Sequence, residues 1–333
     1  MHSEPSVDEG SGGSTTSLVT GREKAARRGV SHLHHEAFLY DGVEDYIGGM
    51  RRLILDGLES GEPVLVAVPE PRLGLLRKSS GRFGGELRFL DMRQRGRNPG
   101  RILPLIHSFV DEHRGHRVRF IGESIWPERT PAAIVEGHRH EALVNLGLGG
   151  CDAHVVCPYD VGGLEWPVVS EALRTHPRIL AAGEYRESKL FTDPLTMYAA
   201  ADHPLTEPPA GTVVIGLSEG LASIRRDIEQ HVARELAGPR VAELVVAANE
   251  AVANTIRHAG GEGTARMWRE DGRVVVEVAD HGFIADPFVG RRLPDPLEES
   301  GRGVWLMHQL CDLVELRSSP DAGTVVRLHM SFD

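Results

Sequence analysis

The sequence predicts an α/β domain followed by an α+β domain. Between about residues 32 and 190, short apolar runs alternate with stretches of helical apolar spacing, a pattern typical of a parallel sheet with helices on both faces. After about residue 264, strand-like runs follow one another directly, which indicates a largely antiparallel sheet with helices on one face. Four prolines within residues 191–211 separate the two patterns, and we interpret this segment as a linker.

Length, charge and cysteine content limit the classes of function. A chain of 333 residues can hold two domains, each with its own core, and its net charge of -11 argues against direct nucleic-acid binding. No apolar run reaches the roughly 18 residues of a membrane span, and the start, Met1-His-Ser-Glu-Pro, does not resemble a signal peptide. We therefore expect a cytoplasmic protein without a membrane partner, in which Cys151, Cys157 and Cys311 are free thiols.

The first domain is predicted to cover residues 31–190, after a mobile tail at residues 1–30 that has no periodicity. Its predicted helices are Val43–Glu59, Gly100–His113, Pro131–Gly147 and Leu164–His176. Its predicted strands are Pro63–Pro69, Leu87–Leu90, Val118–Ile121 and Ala153–Cys157. Taking the strand at Pro63 as the first, we find two prolines in the loop after it, where a phosphate-binding loop would need backbone N–H donors. Nucleotide binding by this domain is not expected.

Several motifs of the first domain, in order, resemble the MEDS domain, a sensory module of methanogen and methylotroph regulators. They are His35-Glu-Ala-Phe-Leu-Tyr, Gly57-Leu-Glu-Ser-Gly-Glu-Pro-Val-Leu, Gly122-Glu-Ser-Ile-Trp, Glu141-Ala-Leu-Val-Asn, Cys157-Pro-Tyr-Asp and Thr175-His-Pro. The resemblance implies a RecA-like parallel α/β sensor domain without a working phosphate-binding loop. It implies an unknown small-molecule signal but does not identify it.

Other candidate sites of the first domain have weaker patterns. If residues 151–157 form a strand, Cys151 and Cys157 share a face and His154 points away, so a joint metal site is not expected. His32, His34 and His35 are assigned to a flexible junction, and the helical positions of His138 and His140 do not share a face. We expect Trp126 and Trp166 to fill the core.

The second domain is predicted to cover residues 212–333. It begins with the strand Thr212–Leu217 and a helix Ser218–Leu236 whose N-cap is Ser218. A second helix ends at His258 and carries an apolar stripe of Val245, Ala248, Val252 and Ile256. The elements predicted after it are the strands Thr264–Arg269 and Arg273–Ala279, the helix Gly303–Leu310, and the strands Leu313–Arg317 and Thr324–Ser331.

Glu250, Asn254 and His258 are four residues apart and therefore line one edge of the second helix. A carboxylate can accept a proton from a hydroxyl, and an amide oxygen is a hard ligand for Mg²⁺. Asp280 and Gly282 follow a strand, where the carboxylate could accept from an exocyclic amino group, although a simple turn would carry the same residues.

Two glycines and a threonine complete the pattern. Gly301 and Gly303 precede a helix, whose free N–H groups can receive phosphate oxygens. Thr324 begins the last strand, where its hydroxyl could support the carboxylate of Asp280.

The order of these motifs resembles the Bergerat ATPase fold, a two-layer α/β sandwich shared by histidine kinases and DNA gyrase. Within it, Glu250-Ala-Val-Ala-Asn-Thr-Ile-Arg-His-Ala and Gly303-Val-Trp-Leu-Met-His-Gln-Leu-Cys-Asp are most similar to the anti-sigma-factor serine kinases. The resemblance implies ATP and Mg²⁺ as cofactors, with Glu250 as the base for a protein hydroxyl, Asn254 as the Mg²⁺ ligand and His258 beside the phosphates.

The same resemblance assigns the remaining site residues. Asp280 would bind adenine in a pocket shaped by Gly282 and backed by Thr324, and Gly301 and Gly303 would border the phosphate lid. After Gly282 the family often has another glycine, whereas this chain continues Phe283-Ile-Ala-Asp-Pro, which puts catalytic turnover in question. The predicted lid is Pro287–Ser300, where Arg292 could reach the γ-phosphate and Arg291 is expected to be solvated.

The resemblance implies a regulatory protein serine kinase and anti-sigma factor. Its partners would be a STAS-type anti-anti-sigma protein and a sigma factor, and a homodimer is left open. Two alternatives remain: a sensor histidine kinase of a two-component pair, or a non-catalytic ATP-binding protein that sequesters a sigma factor.

Overall fold

Two separate β-sheets organise the chain. A computed structural model describes residues 33–79, 85–294 and 301–332. The predicted tail at residues 1–30 and the last six residues of the predicted lid lie outside the described residues. Within the described residues, a parallel-rich sheet lies in the N-terminal part and an antiparallel sheet in the C-terminal part, which confirms the predicted α/β and α+β classes.

The first sheet has seven strands in the order β3-β2-β4-β5-β1-β6-β7. Their bounds are β1 (His34–Tyr40), β2 (Val64–Val68), β3 (Leu87–Asp91), β4 (Val118–Gly122), β5 (Ala153–Asp160), β6 (Arg178–Ala181) and β7 (Glu184–Glu187). All neighbouring strands are parallel except β6 and β7. β2 and β4 are buried along their whole length, as expected for strands covered on both faces.

Six α-helices connect these strands in the described part of the first domain. Their bounds are α1 (Gly42–Glu59), α2 (Arg72–Ser79), α3 (Met92–Arg95), α4 (Ile102–Glu112), α5 (Pro131–Gly147) and α6 (Trp166–Thr175). α5 begins at Pro131 because the hydroxyl of Thr130 accepts from the N–H of Ala133 and because proline suits the first helical position. It contributes more buried polar side chains than an amphipathic helix would, and they include His138 and His140.

The strand β1 differs most from the sequence prediction. Residues 34 and 35 were expected in a flexible junction, but they begin a strand between β5 and β6, and the His35 side chain is buried. Two histidines and a glutamate interrupt the apolar run of this strand, so the apolar pattern did not predict it. The loop with two prolines, which we expected after the first strand of the sheet, therefore follows the second strand, β2. Trp126 fills the core as expected, whereas that expectation is wrong for Trp166, which is 67% exposed.

The predicted linker at residues 191–211 includes the helix α7 (Pro194–Ala200). Asp193 caps it by accepting from the N–H of Thr196 at 2.9 Å. α7 packs against α5, where the Arg139 guanidinium donates to the Tyr198 hydroxyl at 2.8 Å. The segment is therefore part of the packed structure.

The second sheet has five antiparallel strands in the order β11-β12-β10-β9-β8. Their bounds are β8 (Val213–Gly216), β9 (Gly263–Glu270), β10 (Arg273–Asp280), β11 (Leu313–Ser319) and β12 (Gly323–Ser331), and the helices are α8 (Leu221–Val232), α9 (Pro239–His258) and α10 (Arg302–Leu310). Val245, Ala248 and Val252 of α9 are buried in the core that the helices share with the sheet, while Ile256 at the end of the predicted stripe is 40% exposed.

The predicted N-cap at Ser218 is wrong. Residues 217–219 form one turn of 3₁₀ helix, and α8 begins after Gly220, whose φ of +86° interrupts the chain direction between the two. None of the helices in the three described segments has the length and apolar character needed to cross a lipid bilayer.

Candidate functional site

One cavity of the second domain contains most of the residues selected from the sequence. It has a volume of about 770 Å³ and lies between α9, the end of β10, the start of α10 and the start of β12. Eight of the nine selected residues line it: Glu250, Asn254, His258, Asp280, Gly282, Gly301, Gly303 and Thr324. The volume is within the usual range of about 300–1,000 Å³ for small-molecule sites.

The Asp280 carboxylate is held on both oxygens at the end of β10. The Thr255 hydroxyl donates to Oδ2 at 2.6 Å, and the Gly282 N–H donates to Oδ1 at 2.7 Å. Each oxygen retains a lone pair, so the carboxylate can still accept from a ligand amino group. Sequence reasoning missed Thr255, which has no distinguishing signal beyond following Asn254 on the buried side of α9.

Thr324 supports the turn after Asp280 and is paired opposite it in the sheet. Its hydroxyl donates to the Gly282 carbonyl at 2.8 Å and lies 2.7 Å from the Ser318 hydroxyl, which itself accepts from the Ile284 N–H at 2.8 Å. This chain of bonds fixes the backbone of residues 282–284 along the cavity. Thr324 thus acts on the pocket through Gly282.

The start of α10 lies directly against the polar edge of α9. A Cβ atom at Gly303 would lie 2.8 Å from the Glu250 carboxylate and 3.3 Å from the Asn254 amide, so a side chain at this position would displace these two polar groups. Gly301, at a φ of +84°, is the N-cap and has no side chain to cap the helix. The first residues of α10 line the same cavity as Glu250 and Asn254, and free N–H groups at the start of a helix suit an anion such as phosphate.

The donor set fits a nucleotide with a divalent metal. Asn254 offers an amide oxygen and Glu250 a carboxylate beside the N-terminus of α10, and both are oxygen ligands of the kind that Mg²⁺ prefers. Asp280 can accept from an amino group at the other end of the cavity. Arg257 and Arg302 also line it, although the sequence analysis did not select them. Arg257 could have been found, because it is three residues after Asn254 on the same helix.

The two arginines of the predicted lid behave differently from expectation. Arg292 does not line the cavity; its exposed side chain lies 3.4 Å from the Asp286 carboxylate. The prediction that Arg291 is solvated is wrong, because it is 4% exposed and donates to the buried Glu136 carboxylate of α5 at 2.9 Å. The sequence of the loop could not show that it returns against another domain.

Comparison with known families agrees with this architecture. Residues 34–177 match the family model of MEDS, the methanogen/methylotroph, DcmR sensory domain. Residues 217–330 match the family model of the histidine kinase-like ATPase domain. Among the curated proteins, none matches this chain. The chain therefore carries a MEDS sensory domain followed by a histidine kinase-like ATPase domain, in the order that the sequence predicted.

Proposed function

We propose that this chain is an ATP- and Mg²⁺-dependent protein serine kinase under the control of its sensory domain. A sensory domain joined to an ATPase domain of this kind suggests a regulatory ATP-dependent kinase or ATPase. The substrate would be a serine of a STAS-type anti-anti-sigma protein, and the same domain would bind and sequester a sigma factor. The observation that carries the proposal is that Glu250, Asn254 and the start of α10 line one cavity together with Asp280.

Each group that lines the cavity would have a different role in phosphoryl transfer. Asn254 would hold Mg²⁺, which neutralises phosphate charge when bound. The N–H groups at the start of α10 would stabilise the negative charge on the transferred group. Glu250 would accept the proton of the attacking serine hydroxyl. Asp280 would orient the base by accepting from its amino group.

A serine in another protein is a better acceptor than a histidine in this chain. Residues 201–238, all of which have described backbone, contain β8, one 3₁₀ turn and the single helix α8. A dimerising hairpin of two helices is therefore absent from this segment. His231 on α8 is partly buried, and this burial lowers its pKa.

Labelled ATP distinguishes the proposal from its alternatives. The full chain would be incubated with γ-labelled ATP, Mg²⁺ and a candidate STAS protein, and the label would be traced by acid stability and by mass spectrometry. The proposal expects acid-stable label on a serine of the STAS protein. Acid-labile label on this chain would instead indicate a histidine kinase, and bound but untransferred nucleotide would indicate the non-catalytic alternative.

The variant Glu250→Gln tests the assigned base. Because the amide cannot accept the proton, transfer should fall by roughly 10²–10⁴-fold while ATP binding is retained. Asn249→Ala is the matched control, since Asn249 is the preceding residue of α9 but does not line the cavity. Full transfer activity in Glu250→Gln would overturn the assignment of the base.

A further inference from the structure

Four side chains with metal-binding atoms meet in the core of the sensory domain, far from the ATPase cavity in sequence. They are His35 of β1, Glu141 of α5, Cys157 of β5 and His176 just before β6. Each is at most 3% exposed. One ligand atom from each lies within 4.8 Å of all the others. Two strands, one helix and the end of α6 thus place an imidazole pair, a carboxylate and a thiol around one point.

Four of the six distances between these atoms match the edges of a tetrahedral site, and the other two are no longer than 4.8 Å. Glu141 Oε2 lies 3.3 Å from His35 Nε2, 3.4 Å from His176 Nε2 and 3.3 Å from Cys157 Sγ. Cys157 Sγ lies 3.6 Å from His35 Nε2. Zn²⁺ bonds of about 2.0–2.1 Å to nitrogen or oxygen and about 2.3 Å to sulfur give edges of roughly 3.3–3.6 Å between ligands of a tetrahedron.

The outer contacts orient both imidazoles as metal ligands. His35 Nδ1 lies 3.0 Å from the Asn145 amide oxygen, and His176 Nδ1 lies 2.8 Å from the Ala172 carbonyl oxygen and 3.0 Å from the Thr175 hydroxyl. These oxygens accept a hydrogen bond from the N–H of each Nδ1, so the lone pair of each imidazole is on Nε2. Both lone pairs then face the Glu141 carboxylate, whose other oxygen accepts from the Ser124 hydroxyl.

Without a cation this arrangement places acceptors against one another. His176 Nε2 is buried, and within the described residues its 3.4 Å contact with Glu141 Oε2 does not have the geometry of a hydrogen bond. Buried polar atoms are rarely left in this state, because the loss of water is not compensated. A single shared proton would satisfy one imidazole, whereas a divalent cation would satisfy both imidazoles, the carboxylate and the thiolate together.

We propose that His35, Glu141, Cys157 and His176 bind one divalent transition-metal ion of the Zn²⁺ type. The mixed nitrogen, sulfur and oxygen ligands suit Zn²⁺ and its neighbours better than Mg²⁺ or Ca²⁺, which prefer oxygen. On binding, the Cys157 thiol releases its proton to solvent, and the sulfur forms the bond to the metal. Four protein ligands close the coordination sphere, so the ion would stabilise the folded sensory domain.

Metal binding to the full-length chain without a histidine tag tests the proposal. After chelation and dialysis, the protein would be titrated with Zn²⁺ alone and with Co²⁺ alone. The expected results are one tightly bound equivalent, and a Co²⁺ spectrum with a thiolate charge-transfer band and the intense visible bands of tetrahedral coordination. A wild-type protein that binds neither ion, or a Co²⁺ complex without the thiolate band, would overturn the proposal.

Variants then assign the ligands. Cys157→Ser should remove the thiolate band, and Asn145→Ala should weaken binding by roughly 10–100-fold through loss of the outer contact to His35. Cys151→Ser is the matched control, because Cys151 is partly exposed and outside the cluster, and it should bind like the wild type. Retention of the thiolate band in Cys157→Ser, or its loss in Cys151→Ser, would contradict the assignment.

Discussion

At the scale of single residues, the candidate site depends on one polar edge of α9. Glu250, Asn254 and His258 line the cavity because they are one helical turn apart, while Thr255, on the buried side, holds Asp280. The sequence could predict the first group from spacing. It could not predict the contact of Thr255, because that contact depends on how β10 ends beside the helix.

Asn254→Ala should abolish the Mg²⁺-dependent part of ATP binding. The amide oxygen is the assigned metal ligand, and alanine has no atom to replace it, so affinity in Mg²⁺ should fall by roughly tenfold or more and approach the affinity measured in a chelator. Calorimetric titration with and without Mg²⁺ measures this difference. Asn249→Ala, in the same helix, should behave like the wild type. Equal Mg²⁺ dependence of ATP binding in both variants would show that Asn254 does not bind the metal ion.

At the scale of elements, the sequence predicted the long helices and the buried apolar strands, and it missed the short helices α2, α3 and α7 and the strands β1, β6 and β7. The bounds of α5 agree with the prediction, because its cap, Thr130-Pro131, is a local signal. β1 was missed, because His34, His35 and Glu36 interrupt its apolar pattern and only the packed sheet explains their burial. One of these three residues, His35, is also a ligand of the proposed metal cluster.

The end of β4 provides a pH-dependent element. Glu123 follows this strand in a fully buried position, and burial raises its pKa to about 7 although Arg72, at 2.6 Å, favours the charged form. Because the pKa of Glu123 is raised in the folded state, its contribution to the stability of the fold is fully present below the unfolded pKa of 4.5. This contribution is lost as the pH rises through about 7.

Glu123→Gln should therefore remove part of the pH dependence of stability. Between about pH 4.5 and 8, the free energy of unfolding of the wild type should fall by about 3 kcal/mol relative to the variant, because glutamine cannot ionise. Urea denaturation at several pH values measures the two curves. Parallel curves across this range would show that Glu123 does not titrate as described.

At the scale of the whole molecule, the two domains share buried polar contacts. Arg101, just before α4, donates to the carbonyl oxygens of His308 and Gln309 at 2.6 Å and of Cys311 at 3.0 Å, at the C-terminal end of α10. The N-terminal end of the same helix lines the ATPase cavity. The sensory domain therefore contacts directly the helix that would receive the phosphates.

Helix α5 provides a second connection. It carries Glu141 of the proposed metal cluster and, five residues earlier, Glu136, which is 1% exposed. Glu136 lies 2.9 Å from Arg291 and 2.6 Å from Arg317, two buried arginines of the ATPase domain. One helix therefore carries both a ligand of the proposed metal cluster and a carboxylate that binds the ATPase domain.

Glu136→Ala should lower the free energy of unfolding by about 3–5 kcal/mol, because it removes the buried carboxylate that pairs with two buried guanidinium groups. Urea denaturation of the full chain measures the loss. Glu112→Ala is the control, since Glu112 forms an exposed ion pair with Arg88 and its removal should lower the stability far less than the loss of Glu136 does. Similar small effects for both variants would show that the contact between the domains contributes little.

The central claim is that the cavity beside α9 binds ATP with Mg²⁺. A crystal structure of the full chain with Mg²⁺ and a non-hydrolysable ATP analogue tests it most directly. We predict the adenine amino group at Asp280, the phosphates at the N-terminus of α10 and the metal ion bound to the Asn254 amide oxygen. Nucleotide bound elsewhere, or a metal ion that does not contact Asn254, would contradict the account.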